Sequence, residues 1–247
     1  MKHPVFQKIE TANSPDFGDI LSKSFILFKK AWVEGMLHVL LILGLMIPLF
    51  ILLYAPLIPL LIDSVQNGRD FNPFQEYSLL LIIGYFFVFL ILMIISQVFN
   101  YAIMAHLYKV LKKADTGSTQ EIGGYFSCLK RDFGKLFVLS LAGIGIALLA
   151  TILCYLPLIY AMVPLQLLVV IYAYNPELSV SEIVKASFKL GNRFWLIIFG
   201  LMIIGGLISQ IGVVLCFVGV VATASFVHFP MYFFYKDTVG FEKAPIQ

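Results

Sequence analysis

Three of the four histidines in this chain lie within long apolar segments, where ionisable side chains are rare. They are placed at a similar predicted depth: His38 near the start of the first apolar run, His106 near the end of the second and His228 near the end of the last. Imidazole nitrogens bind zinc and other transition metals, so three of them at one depth could form a metal site. The sequence has no HExxH motif and no histidine pair four residues apart. We therefore interpret them as interface histidines satisfied by water or backbone, with a metal site as the alternative.

A second group of uncharged polar side chains lies on three of the apolar segments. Polar residues in hydrocarbon are functional candidates, because burying them without partners is costly. They can line a polar passage or bind a headgroup, or they can hydrogen-bond between helices, with about 0.6 to 2 kcal/mol for each bond. We expect interhelical hydrogen bonding and keep the passage as the alternative. The group consists of Ser96, Gln97, Asn100, Gln166, Ser209 and Gln210.

The sequence contains no recognised catalytic motif. It has no nucleophile elbow, no Walker loop, no glycine-rich dinucleotide loop and no paired CxxC motifs. We therefore predict a protein without enzymatic activity and without a cofactor.

The composition indicates where these residues must lie. Hydrophobic residues make up 60% of the 247 residues and charged residues 13%, and the mean hydropathy is +0.94. Soluble domains carry about 25% charged residues, so this chain is predicted to be a membrane protein. Four runs contain no Asp, Glu, Lys or Arg: 35–62, 77–108, 136–176 and 194–235. Because a helix needs about 20 apolar residues to cross a bilayer, the first two runs predict one span each and the last two predict two each.

The predicted fold class is therefore all-α integral membrane, with six transmembrane helices. The run 136–176 is divided into two spans at a proline, and the run 194–235 is divided at its midpoint. The expected spans are 36–62, 79–106, 136–155, 158–174, 194–212 and 215–235.

Basic residues set the orientation of these spans. Lysines and arginines cluster before span one, between spans two and three, between spans four and five, and after span six. The positive-inside rule then places both termini in the cytoplasm. The net charge of +3 is interpreted as a topology signal, and no nucleic-acid partner is expected.

The segment from Asp19 to Trp32 recurs as Glu182 to Trp195. Each copy is an amphipathic helix that ends in basic residues, followed by an aromatic residue and an apolar run; we call this arrangement an elbow. A third elbow is expected before span three, where Ser118 and Glu121 could begin its helix as Asp16 and Ser179 begin the others. Cations and aromatic residues at such ends suit anionic headgroups at the inner interface. The predicted contacts to lipid or to a partner are Lys29, Lys30, Trp32, Lys130, Arg131, Arg193 and Trp195.

Each predicted unit is an elbow, an outward span and a return span, so the units enter the membrane in the same direction. They are parallel repeats, whereas many alternating-access transporters contain inverted repeats. Within a single membrane domain, 1–247, the predicted parts are an N-terminal tail, 1–15, the units 16–108, 116–174 and 179–235, and a C-terminal tail, 236–247.

Three stretches carry a resemblance to a known group. They are Tyr155-Leu156-Pro157 through Ala173, Glu177-Leu178-Ser179-Val180-Ser181-Glu182 through Phe188, and Leu215-Cys216-Phe217-Val218-Gly219. In these stretches the chain resembles uncharacterised bacterial multi-pass membrane proteins related to the membrane domain attached to some glycerophosphodiester phosphodiesterases. The phosphodiesterase chemistry of those enzymes resides in a separate soluble domain. The resemblance therefore implies a fold and not a reaction.

We predict a non-enzymatic inner-membrane protein that acts as a scaffold, an accessory subunit or a lipid-contacting module. Its expected partners are membrane lipids, with a membrane-protein partner or a second copy of the chain as further candidates. The alternative function is a channel or transporter for a small or amphipathic solute, which the intramembrane polar residues would serve.

Overall fold

The computed structural model describes residues 3–68, 77–119, 121–153, 156–214 and 218–241, and the regular structure of these residues is helical. The predicted turns near 155 and 215 and the end of the C-terminal tail, 242–247, lie outside the described residues. The helices are α1 Pro4–Thr11, α2 Phe17–Tyr54, α3 Leu57–Asn67, α4 Leu79–Thr116, α5 Ser127–Ile152, α6 Leu156–Tyr174, α7 Val180–Arg193, α8 Trp195–Val214, α9 Val218–Thr223 and α10 His228–Thr238, with a 3₁₀ turn at Ala224–Val227.

Five of these helices, α2, α4, α5, α6 and α8, are long and apolar enough to cross a membrane. The fold is thus that of a multi-pass, all-helical membrane protein. The segment predicted as span six is divided among α9, the 3₁₀ turn and α10. Pro230 lies in the first turn of α10, where a residue without an N–H is tolerated, and this favours a new helix start.

The backbone leaves the helical conformation at the end of each predicted elbow. Ala31 has φ −122° and ψ 17°, Asp132 has φ −126° and ψ 32°, and Phe194 has φ −124° and ψ 32°. Each of these kink residues directly precedes an aromatic residue: Trp32, Phe133 or Trp195. One non-helical residue therefore turns the chain at all three places.

The positions that face the core also match around the three kinks. The residues four before the kink, four after it and seven after it are buried in every copy. Ser24 and Ser187 occupy equivalent positions, and their hydroxyls donate to the carbonyls of Ile20 at 2.7 Å and Ile183 at 2.8 Å. The buried sets are Leu27, Cys128 and Leu190; Gly35, Leu136 and Ile198; and His38, Leu139 and Leu201.

The helix starts differ among the elbows. At α2 the Asp16 Oδ1 accepts from the Asp19 amide at 2.7 Å. At α7 the predicted capping box forms, because Ser179 Oγ accepts from the Glu182 amide while Glu182 Oε2 accepts from the Ser179 amide. The hydrogen bonds from Ser179 hold the pKa of the Glu182 carboxyl below its usual range.

The expected middle helix start at Ser118 is not formed. Helix α5 begins at Ser127, so its elbow contains about one helical turn before Asp132. Gly117 and Gly123 have φ values of 66° and 77°, the left-handed region in which glycine is favoured. Gly117 ends α4 as a left-handed cap, and the chain resumes a helix only after the second glycine.

Two predicted span boundaries and the predicted N-terminal tail also differ from the structure. Helix α2 ends at Tyr54, inside the expected span 36–62, and α3 begins after Pro56. The Tyr77 hydroxyl donates to the Pro56 carbonyl at 2.8 Å, which helps to satisfy the backbone at this proline turn. Helix α4 continues beyond 106 to Thr116. Residues Pro4–Thr11, within the predicted N-terminal tail, form a helix whose Val5 and Ile9 are buried.

Burial is concentrated at the elbow end of the bundle. The segments 101–108, 167–173 and 229–235 are almost fully buried. At the opposite end large apolar side chains are open, such as Phe50 at 55%, Leu80 at 80% and Leu149 at 64% exposure. Such surfaces are stable when lipid tails cover them.

The α8–α9 hairpin depends on close backbone approach. A Cβ on Gly212 would lie 2.3 Å from the Gly219 carbonyl carbon and oxygen, whereas a Cβ on Gly206 would have no atom within 4 Å. We expect Gly212→Ala to reduce stability by about 1–3 kcal/mol through overpacking. Gly206→Ala, on the same helix, is expected to leave it unchanged. Thermal unfolding in one detergent measures both, and equal melting temperatures would contradict this packing.

Candidate functional site

A cavity of about 610 Å³ lies within the bundle and is lined by α2, α4, α5, α6, α8 and α10. Its walls are mainly apolar. The polar side chains that line it are Gln97, Asn100, Tyr101, Gln166 and His228.

Helix α4 supplies one continuous wall. Gln97, Asn100, Tyr101 and Met104 follow a spacing of three, four and seven residues, which places them on one helix face. Asn100 Nδ2 donates to Gln97 Oε1 at 3.5 Å. Gly143 of α5 faces this wall, and a Cβ there would lie 2.6 Å from the Tyr101 hydroxyl. The absence of a side chain at Gly143 thus allows the two helices to approach at the cavity.

The remaining walls suit a flexible apolar guest. Methionine side chains adapt to irregular shapes because they are unbranched and polarizable. A few polar groups in an otherwise apolar cavity are typical of small-molecule sites, where they orient the ligand. The cavity is therefore chemically suited to an uncharged or amphipathic molecule. The methionines are Met93, Met104, Met162 and Met202.

The predicted polar cluster divides into two sets. Gln97, Asn100 and Gln166 meet at the cavity. Ser209 lies elsewhere: its Oγ donates to the Gly205 carbonyl at 2.8 Å, and Thr223 Oγ1 donates to the Ser209 carbonyl at 2.7 Å. The Ser209 contacts stabilise the α8–α9 hairpin.

The other two members of the predicted cluster are also separate from the cavity. Ser96 is buried on α4 but does not line the cavity, and Gln210 is exposed on α8. Successive residues on an α-helix point about 100° apart, so Ser96 faces away from the cavity that its neighbour Gln97 lines.

The structure brings together two of the three histidines. The rings of His38 and His228 are 5.2 Å apart, edge to face. His106 instead lies against Tyr125, with ring centroids 4.3 Å apart, and its Nε2 is 3.1 Å from the Gly123 carbonyl. No group of three His, Cys, Asp or Glu side chains in the described part of the chain has the geometry of a metal site. His106 thus has a backbone contact, whereas both ring nitrogens of His38 are buried without a hydrogen-bond partner among the described residues.

The first two elbows present cations at the surface. Lys29, Lys30 and Lys130 are exposed, and Trp32 is 43% exposed. Arg131 binds Asp132 through Nε at 2.9 Å and Nη2 at 2.7 Å. Lys29, Lys30, Lys130 and Trp32 are therefore available at the surface, and their contacts to lipid or to a partner stay a prediction.

The third elbow uses its predicted contact residues within the chain. Trp195 Nε1 donates to the Tyr160 carbonyl at 3.1 Å, and its ring stacks on Phe199 at 4.6 Å. Arg193 donates to carbonyls at the carboxyl end of α1: Ile9 at 2.9 Å, Ala12 at 2.6 Å, and Glu10. Arg193 thus holds α1 against α7 by occupying acceptors that the helix end leaves without partners.

Sequence reasoning missed two features of this site. Tyr101 and Met104 line the cavity, and their spacing from Gln97 could have indicated this. The docking of α1 could have been inferred from the apolar pair Val5 and Ile9, four residues apart, beside the early Pro4.

Arg193→Gln should release α1 from α7. Hydrogen bonds to a charged group contribute about 1.5–3 kcal/mol, so amide exchange in 4–12 should accelerate roughly 10- to 100-fold. Lys185→Gln removes one charge at an exposed position of the same helix and is the matched control. Hydrogen–deuterium exchange mass spectrometry measures the effect. Equal protection of 4–12 in both variants would show that Arg193 does not hold this helix.

Comparisons with known proteins were made for the sequence and for the structure. The chain matches no protein-family model, no curated protein and no solved structure. The resemblance to the glycerophosphodiester phosphodiesterase membrane domain therefore stays a prediction. The functional argument rests on the geometry of the cavity and the elbows.

Proposed function

We propose that the chain is a non-enzymatic protein of the bacterial inner membrane that binds lipid, as an accessory or lipid-contacting module. The observation that carries this proposal is the mainly apolar cavity of about 610 Å³ with its carboxamides. An apolar chain would contact the methionine-rich walls. The polar end of the same molecule would hydrogen-bond to Gln97 or Gln166.

The architecture that we propose has six spans in three parallel units, with both termini in the cytoplasm. The three kinks at equivalent positions support a common unit. The helical stretches in 218–238 support a sixth crossing in which a 3₁₀ turn interrupts the helix. The exposed cations at the first two elbows support an inner interface at that end, since anionic lipids attract them.

The cavity lies beside exposed apolar helix surfaces, which favours lipid as its occupant. Ile42 of α2 and Met93 of α4 line the cavity. The residues around them on both helices are exposed or half-buried. A lipid tail could therefore reach the cavity from the bilayer without crossing water. Burial of each methylene would contribute about 0.8 kcal/mol if it were transferred from water, but much less from lipid. The polar residues would therefore supply most of the selectivity.

A second candidate function is passage of a small uncharged solute. The convergence of Gln97, Asn100 and Gln166 in one cavity favours it. Carboxamides can replace part of the hydration of such a solute, as polar groups do in other pores.

Filling the cavity tests the lipid proposal. Ala147 lines the cavity, while the next residue, Leu148, is exposed on the outer face of α5. We expect Ala147→Trp to weaken the affinity for lipid about 5- to 150-fold and so to lower the lipid-bound fraction, since steric overlap of about 1–3 kcal/mol opposes binding. Leu148→Trp should retain the wild-type fraction. Native mass spectrometry of protein purified in mild detergent measures it.

Two outcomes would contradict the lipid proposal. One is recovery of the wild type as a bare monomer, with neither lipid nor partner. The other is equal lipid retention by the Ala147→Trp and Leu148→Trp variants, which would place the bound lipid outside the cavity.

Solute flux tests the second candidate. Proteoliposomes exposed to a glycerol gradient would be followed by stopped-flow light scattering. If the cavity conducts, Gln97→Leu with Asn100→Leu should abolish the protein-dependent component, while Gln210→Leu, which removes an exposed carboxamide, should preserve it. Flux that survives the double variant would exclude this site, and no flux by the wild type would exclude glycerol conduction.

A further inference from the structure

A second cavity, of about 310 Å³, lies where the carboxyl end of α4 meets the loop before α5 and the α6–α7 turn. It shares no lining residue with the intramembrane cavity. Four cationic side chains line it, against one carboxylate, Glu121. The cations are Lys109, Lys112, Lys113 and Arg131. We call this cavity the basic pocket.

Three of the cations belong to one helix face. Lys109, Lys112 and Lys113 are spaced by three and four residues on α4, so their ammonium groups repel one another. Within the described ranges, no carboxylate lies within ion-pair distance of these three lysines. A bound anion would relieve this repulsion.

The nearest acidic side chains on α4 and α5 are engaged elsewhere. Asp115 accepts hydrogen bonds from Tyr232 Oη and from Lys236 Nζ, both at 2.5 Å. Asp132 accepts from Arg131 and, at 2.8 Å, from Tyr172 Oη. Asp132 therefore offsets the charge of Arg131, and among the described residues the three lysines supply the unpaired positive charge of the pocket.

Neighbouring groups position the lysines. Lys109 Nζ donates to Cys128 Sγ at 3.1 Å. Lys112 Nζ lies 4.5 Å from the centre of the Phe241 ring and 5.9 Å from that of Tyr174. Tyr174 in turn donates to the Tyr108 carbonyl at 2.6 Å. A thiol and two aromatic rings hold the cations without neutralising them.

We propose that the basic pocket binds a phosphate group, carried by a lipid headgroup or by a small soluble molecule. Phosphate carries up to two negative charges and several acceptor oxygens, and several ammonium groups can bind it together. Ile122 and Ala173 give the pocket an apolar side that could contact the carbon skeleton next to the phosphate. The site is independent of the proposed lipid cavity.

Binding of two phosphate probes tests this assignment and identifies the source of the phosphate. Isothermal titration calorimetry of the full chain in dodecyl maltoside measures binding of inorganic phosphate. Native mass spectrometry measures binding of dioleoyl phosphatidic acid, compared with dioleoylglycerol, which has the same acyl chains without the phosphate. We expect the wild type to bind at least one phosphate probe, with binding weaker by about tenfold for each lysine changed among Lys109→Gln, Lys112→Gln and Lys113→Gln.

Matched variants separate this result from misfolding. Lys185→Gln removes an exposed cation outside the pocket and should bind as the wild type does. Lys112→Arg keeps the charge and should retain binding, and Ala147→Trp should leave phosphate binding unchanged even if the lipid cavity is filled. Melting temperatures confirm that each variant is folded.

Each outcome of these experiments either supports or contradicts the proposed phosphate site. Binding of inorganic phosphate indicates a soluble ligand, and binding of phosphatidic acid alone indicates a headgroup. Failure of the wild type to bind either probe would overturn the proposal. So would unchanged binding in the folded lysine variants, or equal binding of phosphatidic acid and dioleoylglycerol together with no binding of inorganic phosphate.

Discussion

The structure depends on one non-helical residue between each elbow helix and the candidate span that follows it. Ala31, Asp132 and Phe194 turn the chain while the helices on both sides stay hydrogen-bonded. Backbone groups in hydrocarbon need partners within the chain, so such a turn is tolerated best where the span begins. Because the buried positions around each kink correspond, the three spans present their packing faces to a common core. The fold is thus organised from the elbow end.

The intramembrane cavity lies where this core ends. Tyr101 and Met104 belong both to the buried segment of α4 and to the cavity wall. Met93 lies about two turns before Tyr101, where α4 is more exposed. Polar contacts such as that of Asp115 with Tyr232 stabilise the elbow end, while large apolar side chains are exposed at the other end. The basic pocket lies on the elbow side of the core, and the cavity proposed to bind lipid lies on the other side. The two proposed sites therefore lie on opposite sides of the same buried core.

Much of this architecture could be predicted from sequence, because hydropathy and repetition act locally. The repeat located the turn before Trp32 and Trp195, and the same pattern located the turn before Phe133. The left-handed glycines 117 and 123 were not recognised, so the middle elbow helix was expected too early. Gln97 and Gln210 could not be distinguished, since uniformly apolar spans do not reveal which face points inward. The separation of His106 from His38 and His228 had the same cause.

The central claim is that three equivalent elbows lie at one membrane face. Nitroxide labels at Lys29, Lys130 and Asn192 occupy exposed positions two residues before each kink. Power-saturation EPR in nanodiscs compares their accessibility to oxygen, which concentrates in lipid, and to a water-soluble nickel chelate. The account predicts the same interfacial depth for all three labels and access for an impermeant reductant from the same side of proteoliposomes. One label at the bilayer centre, or reduced only from the opposite side, would contradict it.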